Sequence, residues 1–530
     1  MASCKPSSVV RLFLSSLNCV SRQRITHSAL YNSSPLLCAL SSKDLHTSTI
    51  MSLSLRRSES YINGEWVKGR AEKLFQVFNP KNGSIIGEVY DLDAEDTKAA
   101  VDAAYEAFGP WSKKTAKERS ALLYKWYSLI LENIPELGEM LTEENGKPLA
   151  EGKGEIMYAA SFLDWYSAEA RRVYGETIEF PVTNRRSIIR KEPVGVAGII
   201  VPWNFPAGML TRKVGPALAA GCTVVVKSPE DTPYIPTALV ELANRAGIPR
   251  GVLNIVSCSR SNAAGIGQLF SSDPKVSTVS FTGSCEVGKC AVEVKRISLE
   301  LGGLAPLIVF DSADLSKVVS GTLFAKFRNC GQACISAQNF FIQEGIYDKA
   351  VEEITKLTKS LKMGDPMDST TSIGPLINSR GLEKVERLVN DAKSKGATVI
   401  CGGSRATDVG ELYFQPTLLT GITEDMDILH QEVFGPVINV IKFKTEEEAI
   451  RRANDSERGL ASYFYSSDIS QCYRVMEALQ AGLIGCNDTT VSSAETPFGG
   501  YKQSGIGREG GKYGMDEFLQ IKMCAIGIDI

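Results

Sequence analysis

"VGVAGIIVPWNFPAGMLTRKVGPALAAGCTVVVK" (194–227) holds a strand, a helix and a second strand in direct succession. The run to Val201 is apolar without alternation, the pattern of a strand buried on both faces. Pro202 and Pro206 bracket Trp203, Asn204 and Phe205 and fix a rigid turn. "MLTRKVGPALAAG" reads as a helix closed by Gly221, and "CTVVVK" as the next strand. Further along, "TPYIPTALVELANRAG" is a helix capped by Gly247. "VLNIVS" and "VSTVSFT" are strands with a helical stretch between them. Strands alternating with helices predict an α/β fold on a doubly wound parallel sheet.

A second alternating series comes after Cys334. It runs through "NFFIQ", a helix from about Tyr347 to Leu361, "GLEKVERLVNDAKSKG", "ATVICGG", "VINVIKF", "EEEAIRRAND" and "ASYFYSSD". This predicts a second α/β domain, as a chain of 530 residues requires, since one core rarely serves so many. "RRSIIRKEPV" (185–194) has strand character but strong charge, which suits an exposed hairpin or arm. "GIGREG" (505–510) matches a dinucleotide fingerprint in letters only. Too little chain comes after it for a βαβ unit, so it reads as a glycine-rich turn.

Composition excludes several classes. A formal charge of −3 gives no basic footprint for nucleic acid. No apolar run is long enough for a transmembrane helix, so no membrane partner is expected. The 13 cysteines are irregularly spaced and several sit in apolar runs (Cys222, Cys258, Cys401), which reads as buried free thiols in a reducing compartment. Of three histidines, His27 and His46 fall in the N-terminal segment, leaving His430. A Ser-His-Asp triad, a Cys-His dyad or a multi-histidine metal site would each rest on that residue, so a cysteine nucleophile here needs activation by something other than histidine. The first fifty residues are Ser-rich, carry Lys5, Arg11, Arg22 and Arg24, and hold no acid before Asp44. That describes an organellar transit peptide, over residues 1–50, for the mitochondrial matrix. A plastid or secretory route is the alternative, and Met51 as an internal start would give a cytosolic form.

Several residues stand where chemistry could use them. Asn204 offers side-chain N–H donors at the carboxyl end of a strand, though it equally suits an Asn that stabilises its turn. Lys227 and Glu230 in "VVVKSPE" reach the same edge, as a ribose-binding pair or an ordinary strand-end ion pair. Gly283 and Ser284 in "FTGSCEVG" open a helix whose N–H groups could face a phosphate. Glu300 in "SLELGG" lies inside an apolar strand, where burial raises a carboxyl pKa and suits a general base; a buried ion pair is the bland reading. Cys330 and Cys334 in "FRNCGQACIS" have neither zinc-knuckle nor thioredoxin-like spacing.

The order of these residues, with "QEVFGP" (431–436) after them, resembles the aldehyde dehydrogenase superfamily over roughly residues 58–526. The pairing of "LELGG" with "GQAC" is its most specific mark. The resemblance implies a Rossmann-type NAD-binding domain (58–173 and 194–302), a catalytic domain (303–503), and an oligomerisation arm with a C-terminal segment (174–193 and 504–530). It implies Cys334 as nucleophile, Asn204 as oxyanion donor and Glu300 as base, acting through a thiohemiacetal and a thioester, a mechanism that needs no metal. It assigns Trp203, Lys227, Glu230, Gly283, Ser284, Glu432 and Phe434 to the cofactor, and Glu230 favours NAD over NADP. "AKFRN" and "PFGGYKQSGIGREGGKYGMDEFLQIK" are similar to members acting on a semialdehyde with a distal carboxylate, held by Arg212, Arg328 and Ser492, with Ser493 as the alternative to the last. The expected reaction is NAD-dependent oxidation of succinic semialdehyde to succinate in GABA degradation, by a dimer or tetramer. Cys330 is expected to be a structural neighbour, with an oxidative disulfide to Cys334 as the alternative. Another aldehyde substrate, or a catalytically weak NAD-binding subunit, are the competing readings.

The weak-subunit reading rests on one departure. Only sixteen positions separate Ser284 from Glu300, fewer than the family's helix uses, so either the loops absorb the difference or Glu300 is displaced. Smaller departures are the Ser-Pro order in "KSPE", Leu304 in "LGGLAP", and a missing glycine in "SCSRSNAAGIG".

Overall fold

The apolar run at 194–201 forms a strand over Val196–Ile200, and the helix after it spans Pro206–Ala220. Pro206 occupies the first turn, where its missing N–H removes no helical bond, and Gly221 closes the helix at φ 102°. Thr223–Lys227 is the next strand, buried along its length. The computed structural model describes residues 55–284, 288 and 295–529. The expected transit peptide and most of the shortened segment after Ser284 lie outside these residues.

Among the described residues, an eight-stranded sheet runs Glu65–Val67, Ser60–Ile62, Leu253–Val256, Thr223–Lys227, Val196–Ile200, Val276–Thr282, Arg296–Glu300, Gly505–Ile506. Its strands from Leu253–Val256 to Arg296–Glu300 are parallel. Chain order reverses between Val196–Ile200 and Val276–Thr282. The crevice beyond their carboxyl ends is therefore where an open α/β sheet holds its ligand. A seven-stranded sheet runs Thr398–Cys401, Thr417–Thr420, Val437–Phe443, Asn339–Gln343, Pro306–Val309, Ala461–Tyr465, Leu483–Cys486, parallel but for its first strand. Each sheet has its own buried cluster, one around Trp126, Phe162 and Leu210, the other around Phe310, Phe340 and Val440.

Three local outcomes refine the sequence reading. Glu300 is the last residue of Arg296–Glu300, at the mouth of the crevice rather than inside the strand. That strand lies in unbroken parallel register on its neighbour, from Arg296 opposite Thr278 to Glu300 opposite Thr282, so the short segment before it has not displaced it from the sheet. "GIGREG" is more than a turn. Gly505–Ile506 adds an antiparallel edge strand against Leu299 and Glu300, with Gly505 at φ 152° and Gly507 at φ 87°, conformations only glycine adopts freely.

The charged run at 185–194 forms the strand Arg185–Pro193, whose partner is distant in sequence. It pairs antiparallel with Leu519–Gly527, from Pro193 opposite Leu519 to Arg185 opposite Gly527, as a separate two-stranded ribbon.

Candidate active site

The crevice at the sheet reversal collects most of the residues that the sequence singles out. Asn204 sits just past Val196–Ile200 and is buried. Its Nδ2 donates to the Gln332 carbonyl at 3.1 Å, two residues before Cys334. Its own carbonyl accepts from Lys147 Nζ at 2.8 Å and Asn329 Nδ2 at 2.9 Å. The carboxamide is thus held against the cysteine loop, leaving one N–H for a reacting oxygen.

That loop is bent by successive left-handed residues, Asn329 (φ 50°), Cys330 (φ 56°) and Gly331 (φ 76°). Non-glycine residues hold this conformation only when their surroundings fix it. Here the Asn329 N–H donates to Glu151 at 2.7 Å. The Gln332 side chain donates to the Asn329 carbonyl at 3.1 Å and accepts from the Ile377 N–H at 2.9 Å. Cys334 is half-buried. Burial pushes its thiol up to about 12; Arg212 acts against that shift, Glu432 and Glu300 add to it, and Arg328 opposes it. Different charges act on Cys330: burial raises its thiol, then Glu151, with Lys326 opposing. The two thiols share none of these neighbours, and Cys330 packs into the second core.

Glu300 is buried with both carboxylate oxygens free of hydrogen bonds among the described residues. Its pKa is raised well above the usual carboxylate range, first by burial and then by Glu509, against the pull of Arg212, Lys213 and Arg508. Glu509 is the site residue the sequence reading missed. It accepts from Arg212 Nε at 2.5 Å and from Lys213 Nζ, and these cations hold it ionised although burial opposes that. Lys213 also donates to Ser280 Oγ at 2.9 Å. The available signal was adjacent charges, Arg212 and Lys213, inside an otherwise apolar helix.

Glycines 302 and 303 explain why "LELGG" must end as it does. A Cβ on Gly302 would lie 2.7 Å from the Glu432 carboxylate, and one on Gly303 2.8 Å from the Cys334 carbonyl. Gly303 N–H donates to Glu432 at 3.3 Å, and burial raises the Glu432 pKa. Phe434 is held at φ 58° and meets Trp203 edge to face, with ring centroids 5.7 Å apart.

At the adjacent strand end, Lys227 Nζ lies 3.0 Å from Glu230. Burial opposes the Glu230 charge, but Lys227 outweighs it and holds the carboxyl below its ordinary value. Gly283 comes directly after Val276–Thr282 and donates to the Glu300 carbonyl at 3.1 Å; the Ser284 carbonyl accepts from the Gly288 N–H at 3.1 Å. These groups fit a dinucleotide: an ionised carboxylate for a ribose, small residues at a sheet reversal, and aromatic rings beside Glu432.

On the far side of Cys334, Arg328 and Ser492 line one cleft with Ala333, Ile335 and Tyr463. The guanidinium stacks over Phe205 at 5.0 Å and its Nε has no hydrogen-bond partner among the described residues. Ser492 Oγ lies 2.7 Å from Tyr158 Oη. Arg212 is differently placed, fully buried over Phe498 at 4.0 Å and bound to Glu509. Ser493 is half-buried, and its N–H donates to Thr496 Oγ1 at 3.2 Å.

A family model described as aldehyde dehydrogenase matches residues 66–524. The mitochondrial succinate-semialdehyde dehydrogenase of Homo sapiens is 52% identical over 483 residues, covering 90% of each chain. The NADP(+) succinate-semialdehyde dehydrogenase GabD of Escherichia coli is 47% identical, covering 90% of this chain and 99% of its own. Among solved structures, a succinate-semialdehyde dehydrogenase from Burkholderia pseudomallei is 45% identical with a TM-score of 0.88, covering 91% of this chain and all of the other. An NAD+ complex from Bacillus cereus is 36% identical with a TM-score of 0.86, covering 90% of this chain and 98% of that one.

Proposed function

Because the chain belongs to the aldehyde dehydrogenase family, we propose that it oxidises succinic semialdehyde to succinate with NAD as acceptor and Cys334 as nucleophile. The observation that carries the substrate is Arg328, a half-buried guanidinium whose Nε has no hydrogen-bond partner among the described residues, in a cleft shared with Ser492. A carboxylate there gains charge-assisted hydrogen bonds that a neutral aldehyde cannot make.

Each group has a role that its surroundings support. Burial favours the thiol form of Cys334 and raises the Glu300 carboxyl well above the usual carboxylate range. Arg212 and Arg328 favour the thiolate, which forms as the thiol gives its proton to an ionised Glu300 and then attacks the aldehyde carbon. Asn204 Nδ2 and the Cys334 N–H receive the developing oxyanion. Bound NAD supplies the hydride acceptor. A thioester then remains on Cys334, and Glu300, once deprotonated, takes a proton from the water that hydrolyses it. Lys213 and Glu509 act on the Glu300 charge from nearby, Glu509 raising its pKa and Lys213 lowering it.

Lys227 and Glu230 would hold the adenine ribose, Gly283 and Ser284 the pyrophosphate, and Glu432, Phe434 and Trp203 the nicotinamide end. An ionised Glu230 repels a 2′-phosphate, which supports NAD although the Escherichia coli relative is named for NADP(+). The Arg-rich, acid-poor first fifty residues and the mitochondrial relatives support a mitochondrial site of action. The ribbon of Arg185–Pro193 and Leu519–Gly527 leaves Ile188, Ile521 and Met523 exposed. An isolated two-stranded ribbon with apolar faces needs a partner, which supports a homo-oligomer.

The test is NADH production from succinic semialdehyde by the purified chain, with Cys334→Ala as the blank. Turnover that persists in the blank rules out the assigned nucleophile. An active enzyme that treats succinic semialdehyde no better than hexanal rules out the assigned substrate.

A further inference from the structure

Two thiols outside the crevice take no part in this chemistry. Cys472 is buried on the helix Ile469–Ala478, and Cys486 is exposed at the end of the strand Leu483–Cys486; both are free. Their sulfurs converge on one carboxamide. Asn487 Nδ2 lies 4.0 Å from Cys472 Sγ and 3.8 Å from Cys486 Sγ. The Cys472 thiol is close enough to Cys486 to raise its pKa. Ser466 fixes the assembly. Its N–H donates to Asn487 Oδ1 at 3.0 Å, and its carbonyl accepts from Asn487 Nδ2 at 2.8 Å and from the Cys472 thiol at 3.6 Å.

The chain beyond Cys486 connects the pair to the site. Asn487 turns the backbone at φ 56°, and its N–H bonds back to the Phe464 carbonyl at 2.8 Å. Thr489, Thr490, Val491 and Ser492 come soon after and form one wall of the cleft that Arg328 lines. A change at Cys486 therefore acts on the root of that wall.

We propose that Cys472 and Cys486 are a redox-active dithiol, a modification site that closes to a disulfide and alters the substrate-cleft wall at 489–492. The oxidant class is a small disulfide such as glutathione disulfide. The exposed Cys486 thiolate attacks one sulfur of the oxidant and expels a glutathione thiolate. The Cys472 thiolate then attacks Cys486 Sγ and expels the second. Two protein thiols lose two electrons and two protons, and one glutathione disulfide becomes two glutathione molecules. Burial, then the neighbouring Cys472 thiol, push the Cys486 thiol up to about 11, so exchange accelerates as pH rises toward that value.

The test incubates the full chain with glutathione disulfide and maps peptides without reduction. The expected result is a peptide pair linking Cys472 to Cys486, removed by dithiothreitol and absent from Cys486→Ser and Cys472→Ala. Recovery of both cysteines as free thiols, or of Cys486 stopped as the mixed glutathione disulfide, overturns the proposal. Activity is read in parallel and rests on the proposed substrate. The KM for succinic semialdehyde should change severalfold in the oxidised wild type but not in the treated Cys486→Ser chain. Oxidation of Cys334 would lower kcat in both alike. An unchanged KM in fully linked protein overturns the coupling to the cleft. The peptide map needs no turnover, so failure of the substrate reading is seen separately.

Discussion

Replacing Arg328 with glutamine should separate substrate recognition from catalysis. The arginine sits half-buried over Phe205, its Nε unpartnered among the described residues, in a cleft it shares with Ser492. A distal carboxylate can take two charge-assisted hydrogen bonds from its fork, each worth about 1.5–3 kcal/mol. Half-exposure places each at the lower end, about 3 kcal/mol in all, and glutamine restores one neutral bond of about 1 kcal/mol. The net loss of about 2 kcal/mol is a fall of about 30-fold in kcat/KM for succinic semialdehyde. Hexanal has nothing to place there, so its kcat/KM should move by less than about twofold. Both constants come from initial rates of NADH absorbance on the same preparation. Arg328→Lys keeps the charge but not the fork and should fall between wild type and glutamine. Equal losses for both aldehydes would show that Arg328 supports the cysteine loop and does not read the carboxylate.

Glu300→Gln should form the thioester and then stall, giving a burst of NADH and an intact mass increased by a succinyl group. In the wild type, hydrolysis of that thioester should quicken with pH above the usual carboxylate range. Only ionised Glu300 is a base, and burial followed by Glu509 raises its pKa. Glu509→Gln removes the like charge, so the same pH profile should move down. It also strands Arg212 and Lys213 without their anion, and the denaturation midpoint should fall by the equivalent of about 3–5 kcal/mol. Glu230→Ala should cut the kcat/KM preference for NAD over NADP by about tenfold or more, since it removes the charge facing a 2′-phosphate. Ile521→Asp, on the exposed ribbon, should lower the mass measured by light scattering; an unchanged mass would free the ribbon of any role in assembly.

The parts of this molecule that sequence patterns exposed are those governed by local rules. Val196–Ile200, Pro206–Ala220 and Val276–Thr282 arise from apolar runs, a proline in the first turn and a glycine stop. Asn204 and Glu300 were legible because each ends or comes just after such an element; Cys334 was singled out by the resemblance that "LELGG" and "GQAC" carry. What stayed hidden depends on contacts between distant residues. Arg185–Pro193 finds its partner at Leu519–Gly527, and no periodicity links those segments. Glu509 is a surface-type residue in a glycine-rich run, and becomes part of the site only because Gly505–Ile506 adds to the edge of Arg296–Glu300.

The same long-range pairing explains the division of labour between the arginines. Arg212 and Lys213 together face the single anion Glu509, so that corner of the site carries a surplus positive charge. The Cys334 thiol draws on it: among the charges that favour its ionisation, Arg212 comes first. A substrate carboxylate bound at Arg212 would compete with the thiolate for that surplus and raise the cost of the attack. Arg328 lessens the conflict. Its guanidinium stacks on Phe205, owes no ion pair to Glu509 among the described residues, and favours the thiolate less than Arg212 does. On the proposed reading, recognition at Arg328 and activation at Arg212 divide the work, because a carboxylate at Arg328 takes less from the nucleophile than one at Arg212 would.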